Sequence, residues 1–225
     1  MRGLSHLSKR NGPGIAAFDA DGVLWSGDVS EDFTAWMIDR GEFDAALWPR
    51  YTELNLADPA AGCVMILEFY SGLTEGQIRA CADEFWRTAP PRRWNREIVR
   101  AIDWLIERGI SVYIVSSSPG VVLAGISQHL PIEPDNILSV ELEFDAENRA
   151  TGKASGIVPC GQGKVQRLRA SSSDPVLVAV GNSVVDIEMI EISEDVRWAV
   201  EPDSALRDLA ERKGWNITAH PQTPL

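Results

Sequence analysis

Ile15-Ala16-Ala17-Phe18-Asp19-Ala20-Asp21-Gly22-Val23-Leu24-Trp25 is the stretch on which the fold turns. Four apolar residues end in two carboxylates two positions apart, and a glycine follows. The run 15–18 predicts a strand buried on both faces, as in a parallel sheet. Gly22 permits a sharp turn at the strand's carboxyl end. In open α/β sheets that edge is where ligands bind. Two carboxylates there repel each other unless a cation, a proton or a phosphate partner reconciles them. That is the local chemistry of metal-dependent phosphoryl transfer.

Outward from this stretch, the pattern changes. Asp28-Val29-Ser30-Glu31 forms a capping box, and Phe33, Trp36, Met37 and Ile38 follow at helical spacing, with Gly41 closing the helix. From Asp44 to Trp86 the pattern stays helical, with breaks at Pro49, Asp58-Pro59 and Ser71-Gly72. Thr74-Glu75-Gly76-Gln77 starts a further helix that runs to Thr88. No strand is expected between Trp25 and Pro91, and Ala89-Pro90-Pro91 is the clearest linker. The alternation then resumes: helix 98–108, strand 110–115, loop 116–120 opening a helix, extended 137–144, and a hairpin loop at 145–149. Helix 164–170, strand 176–180, the turn Gly181-Asn182-Ser183, a helix from Val184, strand 196–200 and helix 204–213 complete it. This rhythm predicts an α/β fold with a doubly wound parallel sheet and an all-helical insertion.

Bulk properties narrow the partners. The 225 residues suffice for one α/β domain with an insertion, and 44% hydrophobic content supports a sizeable core. A formal charge of −12 argues against nucleic acid and against an anionic membrane surface. No run approaches the roughly 18 apolar residues of a spanning helix. Residues 1–14 lack the apolar core of a signal peptide and are expected to be a short flexible leader. Cys63, Cys81 and Cys160 are odd in number and lack metal-ligand spacing, which fits a reducing cytoplasm. Of 21 basic residues, 17 are arginine and 4 lysine, so each lysine is worth locating.

Four features stand at strand ends or at a helix start: Asp19-Ala20-Asp21-Gly22-Val23, Ser116, Lys164, and Gly181-Asn182-Ser183-Val184-Val185-Asp186. In this order they resemble the four motifs of the haloacid dehalogenase superfamily. The helical insertion after the first is similar to the cap of its phosphoserine-phosphatase-like branch. The resemblance covers residues 15–215. It implies a core of residues 15–26 and 92–225 with a cap of residues 27–91, and a phosphatase acting on a small phosphorylated metabolite. Asp19 is then the nucleophile that forms an aspartyl-phosphate. Asp21 protonates the leaving group and later activates water. Ser116, with Ser117 beside it, hydrogen-bonds a phosphate oxygen, and Lys164 neutralises charge on the phosphate and on Asp19, with Leu168 completing the family's Lys-x-x-x-Leu pattern. Mg²⁺ takes Asp19, the backbone carbonyl of Asp21, Asn182 and Asp186.

The chain departs from the family's pattern in three places. Asn182 replaces the usual aspartate and offers an uncharged oxygen, which either weakens metal binding or leaves Asp186 as the main expected anchor, directly or through water. Val185 replaces an asparagine. The cap arginine that grips a substrate carboxylate aligns with Ile66. Asp28 stands near the family's acidic contact to a substrate amino group. The reacting groups are thus kept while amino-acid recognition is altered. A phosphomutase uses the same residues, and a member that binds a phosphorylated ligand without turnover is motivated by Asn182 alone. Dehalogenation is disfavoured, because hydrolytic dehalogenases of the superfamily lack the second aspartate. Trp25, Trp36, Trp48, Trp86 and Trp94 could form an aromatic cage for a quaternary ammonium, but a small cap needing bulky core residues is the plainer reading. Cys63 and Cys81 are expected to be packed in the cap, and His6, His129 and His220 to lie at the surface.

Overall fold

A computed structural model describes residues 4, 13–89 and 94–220. Most of the expected leader 1–14, and the linker prolines Pro90 and Pro91, lie outside the described residues. The strand β1 (Ile15–Phe18) is buried at every position. It sits inside a seven-stranded sheet with β2 (Ser111–Pro119), β3 (Ile137–Phe144), β4 (Ala150–Ser155), β5 (Val176–Gly181), β6 (Val196–Val200) and β7 (Asn216–Thr218). The order is β4-β3-β2-β1-β5-β6-β7, parallel throughout except for the β3–β4 hairpin. The chain leaves β1 toward β2 on one side and returns to its other side with β5. The order therefore reverses at β1, and the crevice at its carboxyl end is where an α/β sheet binds ligands.

Alternation along β1 explains its burial. Ala16 and Phe18 join the larger core with Val112 and Ile114, whereas Ile15 and Ala17 face the opposite side with Tyr113, Val115, Leu168 and Met189. Both sheet faces are covered by helices, so no polar face remains. Two strands differ from the sequence pattern. β2 runs on through the serines to Pro119, four residues beyond Val115, because neighbouring backbone is available for pairing at Pro119–Val140. β7 is three residues long, and in the sequence only Ile217 marks it.

Between β1 and β2 the regular elements among the described residues are all helical: α1 (Val29–Asp39), α2 (Trp48–Ala57), α3 (Pro59–Met65), α4 (Glu75–Thr88) and α5 (Arg96–Ile106), with 3₁₀ turns at Ala45–Leu47 and Ile66–Tyr70, and α6 (Gly120–Leu123) follows β2. Asp58 caps α3 from one side of a proline break, and at the expected start of α4 Thr74 with Gln77 forms a capping box. α4 buries Ile78, Ala82 and Phe85, one stripe at helical spacing. Phe33 is the centre of the packing, in ring contact with Trp36, Phe43, Tyr70 and Phe85. The five tryptophans do not surround a common space. Trp25 meets Trp86 and Trp94, Trp48 meets Tyr51 and Phe69, and Trp36 lies under the Arg40 guanidinium. The core is continuous from these helices into the sheet.

Besides the shared apolar core and the Trp86 Nε1 bond to Val122 O at 2.7 Å, main-chain bonds tie the insertion to the rest of the chain at two places. At its root, Asn95 N donates to Leu24 O at 2.7 Å, and Trp25 bridges to Trp94. Opposite, it meets the β3–β4 hairpin: Gly72 N donates to Ala150 O at 2.8 Å, Ala150 N to Leu73 O at 2.9 Å, and the Arg149 guanidinium to Gly72 O at 2.7 Å. Gly152 makes this approach possible. Its φ is +77°, and a Cβ there would lie 2.3 Å from Ser71 Oγ and 3.3 Å from Glu68 Cα. Gly152→Ala is expected to cost about 1–3 kcal/mol, lowering the melting temperature by roughly 2–10 °C. A thermal melt indistinguishable from wild type would show that this contact is not tight.

Candidate active site

Asp19 is the first residue past β1. Its N–H donates to Val180 O at 2.9 Å, which locks it to the end of β5. Its side chain is buried, at 7% exposure. Lys164, on the first turn of α7 (Gln162–Ser171), reaches it from across the sheet end. Lys164 Nζ donates to Asp19 Oδ1 at 2.7 Å and to Asp186 Oδ1 at 2.5 Å. All three groups are removed from water. Burial, and then repulsion by Asp186, push the Asp19 carboxyl up to about 7, against the pull of Lys164. Burial alone would lower Lys164. The two carboxylates beside it outweigh that and hold it above its ordinary value.

Asp21 is held by three donors. Oδ1 accepts from Trp25 Nε1 at 2.8 Å and from Val29 N at 2.6 Å, and Oδ2 accepts from Ser118 Oγ at 2.7 Å. Burial, then the nearby charge of Asp28, raises its pKa well above the usual carboxylate range, while Ser118 and Val29 oppose the shift. A carboxyl so placed holds its proton more firmly than an exposed one, as suits a general acid. Gly22, with φ +70°, makes the turn behind it. A Cβ there would lie 2.0 Å from the Asn182 amide, so only glycine lets the two loops meet.

The loop after β5 supplies Asn182 and Asp186. With its amide nitrogen turned inward, Asn182 donates to Asp19 Oδ2 and to the Asp21 carbonyl oxygen, both at 3.2 Å. With its oxygen turned inward, three oxygens converge, an arrangement that a cation reconciles. Asp186 is fully buried and saturated. Oδ2 accepts from Asn182 N, Ser183 N and Ser183 Oγ, and Oδ1 from Lys164. Its oxygens face the lysine and the loop backbone.

The three serines at the end of β2 divide their work. Ser116 is 1% exposed, and its Oγ accepts from Ser118 N at 3.1 Å, which leaves its own proton free. Ser117, expected beside the phosphate, donates to Pro159 O at 2.9 Å. Ser118 holds Asp21. Asp28 is the N-cap of α1, with Oδ1 accepting from Ser30 N, Ser30 Oγ and Glu31 N. Glu31 does not close the expected capping box, and accepts from Tyr51 and Asn55 instead.

Sequence reasoning missed several residues. Trp25 stands four residues after Asp21, and its N–H could have been matched to that carboxylate. Ser118 depends on β2 extending further than the apolar pattern does. His220, expected at the surface without a partner, brings Nε2 to 2.8 Å from the Gly22 carbonyl. That oxygen can only accept, so Nε2 carries the proton. Cys63, expected to be packed within the insertion, is coupled to the Cys160 thiol of the loop before α7. The coupling raises Cys63 and lowers Cys160.

Among the described residues, no helix is long and apolar enough to cross a membrane. The sequence model of the haloacid dehalogenase-like hydrolases matches residues 16–191. The chain is 25% identical over 219 residues to a histidinol-phosphatase of Neisseria meningitidis serogroup C, covering 90% of this chain and 97% of that one. It is 24% identical over 220 residues to the phosphoserine phosphatase SerB1 of Mycobacterium tuberculosis, covering 90% of this chain and 69% of the other. Among solved structures, a protein of unknown function from Bordetella pertussis superposes with a TM-score of 0.79 at 19% identity, over 92% of this chain and 99% of that one.

Proposed function

We propose a function from one premise: this chain belongs to the haloacid dehalogenase-like hydrolases. It is an enzyme, a phosphomonoesterase that hydrolyses a small phosphate ester through an aspartyl-phosphate on Asp19. The observation that carries this reading is Lys164 Nζ, buried between Asp19 and Asp186 where the sheet order reverses. Two relatives named as phosphatases of small metabolites support it.

In this reading Asp19 attacks phosphorus, and the ester oxygen leaves with the proton of Asp21. Water then attacks the aspartyl-phosphate, and Asp21 takes its proton, so ester and water become alcohol and phosphate. Ser116 donates to a phosphoryl oxygen, and Lys164 offsets the charge gathered on Asp19 and phosphate. Ser118, Trp25 and Val29 keep Asp21 aimed. The helical segment 27–91 acts as a cap that closes over the site and excludes water. A reducing cytoplasm suits the unpaired thiols.

The donor set fits a hard cation: the Asp19 carboxylate, the Asp21 carbonyl and the Asn182 amide oxygen. Mg²⁺ held there supplies positive charge to the phosphoryl oxygens. Asp186 is a positioning residue that orients Lys164 and the 182–183 backbone.

Phosphate release from p-nitrophenyl phosphate, with Mg²⁺ and then with excess chelator, tests the proposal. No release from any of a broad panel of phosphomonoesters would overturn it. Asn182 gives a sharper test. One unit charge near a divalent cation is worth about a few kcal/mol at a protein-like dielectric, and the amide recovers part of it. Asn182→Asp is therefore expected to lower the Mg²⁺ needed for half-maximal activity by roughly tenfold. An unchanged Mg²⁺ titration would mean that this loop does not hold the metal.

A further inference from the structure

Four neighbouring strands end at the same crevice. β1, β5, β6 and β7 are adjacent and parallel, so the turns that follow them emerge on the side of Asp19. Each turn is tied to another. Asp203, after β6, donates its N–H to Asn182 O at 2.9 Å, and its Oδ2 accepts from Val184 N at 2.6 Å. Glu201 donates its N–H to Thr218 O at 2.6 Å. It does so at φ +41°, a conformation disfavoured for a residue with a side chain. Trp198 Nε1 donates to Thr218 Oγ1 at 2.8 Å, so the end of β7 is held twice. Two residues later the half-buried His220 donates from Nε2 to Gly22 O at 2.8 Å. This contact closes a ring, because Gly22 abuts Asn182.

Gly22 is where such a hold has most effect. Asp21 C=O and Gly22 N–H share one planar peptide unit, and Gly22 C=O and Val23 N–H share the next. Only the two torsions of Gly22 join these units, and glycine restricts its torsions least. Within the turn, Gly22 N donates to Gly27 O and Val23 N to Ala20 O, both at 3.2 Å, the long end of the hydrogen-bond range. His220 grips the second unit from outside, two residues past a strand fixed in the sheet. A loose Gly22 would swing the Asp21 carbonyl away from Asn182 and draw the carboxyl away from Trp25, Val29 and Ser118. The imidazole meets a backbone oxygen, so its part is placement. Nε2–H donates in the neutral tautomer and in the cation alike, so the hold does not depend on the charge of the ring.

We propose that His220 is a positioning residue of the active site: by holding the Gly22 carbonyl it fixes the turn that presents Asp21 to the leaving group. The catalytic half of this statement rests on the phosphatase reading above, whereas the hold itself can be measured without turnover. Amide hydrogen exchange, read by NMR, is expected to quicken about 2–10-fold at Gly22, Val23 and Val29 in His220→Ala, the worth of one net hydrogen bond. Amides of β3 should keep their rates. His220→Gln, whose Nε2–H extends similarly far, should restore the wild-type exchange. Turnover separates placement from a smaller folded fraction. The ratio kcat/KM reports only as far as departure of the ester oxygen and is blind to phosphate release. In His220→Ala it should fall ~10-fold for phenyl phosphate but only about twofold for p-nitrophenyl phosphate, whose better leaving group needs less of the Asp21 proton. Unchanged exchange at Gly22, Val23 and Val29 would overturn the proposal, and so would equal losses on the two esters. Quickened exchange in a protein whose wild-type form hydrolyses neither ester would count against the phosphatase reading and leave the hold of His220 on the turn standing.

Discussion

Asp19→Asn is expected to reduce Mg²⁺-dependent phosphate release below about 1% of wild type, since an amide is a poor nucleophile of nearly the same shape. The fold should survive. Asparagine fills the same volume after β1, and Lys164 keeps Asp186 as its partner. The charge change also has a sign that can be checked. In the metal-free protein, burial and Asp186 raise Asp19 from an ordinary 3.8 to about 7. Between those values the folded state binds a proton that the unfolded chain lacks, so this group lowers stability as pH rises through that window. The stability of Asp19→Asn relative to wild type should therefore grow from pH 4 to pH 7 and then level off. Activity above a few per cent would sink the nucleophile assignment. A stability difference independent of pH would contradict the raised carboxyl.

Lys164→Met should damage both turnover and folding. Lys164 is 1% exposed and is the cation between two buried carboxylates. Breaking a buried ion pair by removing one partner costs about 3–5 kcal/mol, because the other charge is left stranded. In a chain of this size that corresponds to a melting temperature lower by roughly 6–20 °C. The double variant Lys164→Met/Asp186→Asn removes one stranded charge and should recover much of the stability with none of the activity. If it recovered both, Lys164 would have only a packing role. If the single variant melted like wild type, the three groups would not share a dry site.

The fold was legible wherever local pattern and global position agree. Ile15–Phe18 is apolar at every position because both sheet faces are covered, and the carboxylates follow because the sheet ends there. Lys164 was legible because lysine is scarce and stands at a helix start. The helical insertion was legible from its spacing and from Thr74 and Gln77. What the sequence concealed depends on distant register. Nothing local says that Ser118, rather than Ser117, will face Asp21 across 97 residues, because that follows from how far β2 stays paired. Asp186 has the chemistry of a metal ligand, and only the folded loop spends its oxygens on Lys164 and on backbone N–H groups. Glu31 and Tyr51 lie on different helices, and Cys63 and Cys160 on opposite sides of the linker, so no motif spacing could join them.

The hairpin contact at Ala150 bears on the clock of the reaction. For the insertion to lift away, the two main-chain bonds at Ala150, the Arg149 bond to Gly72 and the Trp86 bond to Val122 O must part, while the Leu24–Asn95 pair can stay closed as an axle. Four such bonds amount to roughly 2–6 kcal/mol in net terms, and the apolar contacts of the shared core add to that, so the raised position is a minority state. If the segment 27–91 is the cap proposed above, departure of inorganic phosphate, rather than scission of the ester, is expected to set the pace at saturating substrate. In that case the Gly152→Ala variant, whose added methyl group loosens the latch, would melt earlier and yet turn over faster. A residue far from the phosphorus atom would thereby exchange durability for throughput.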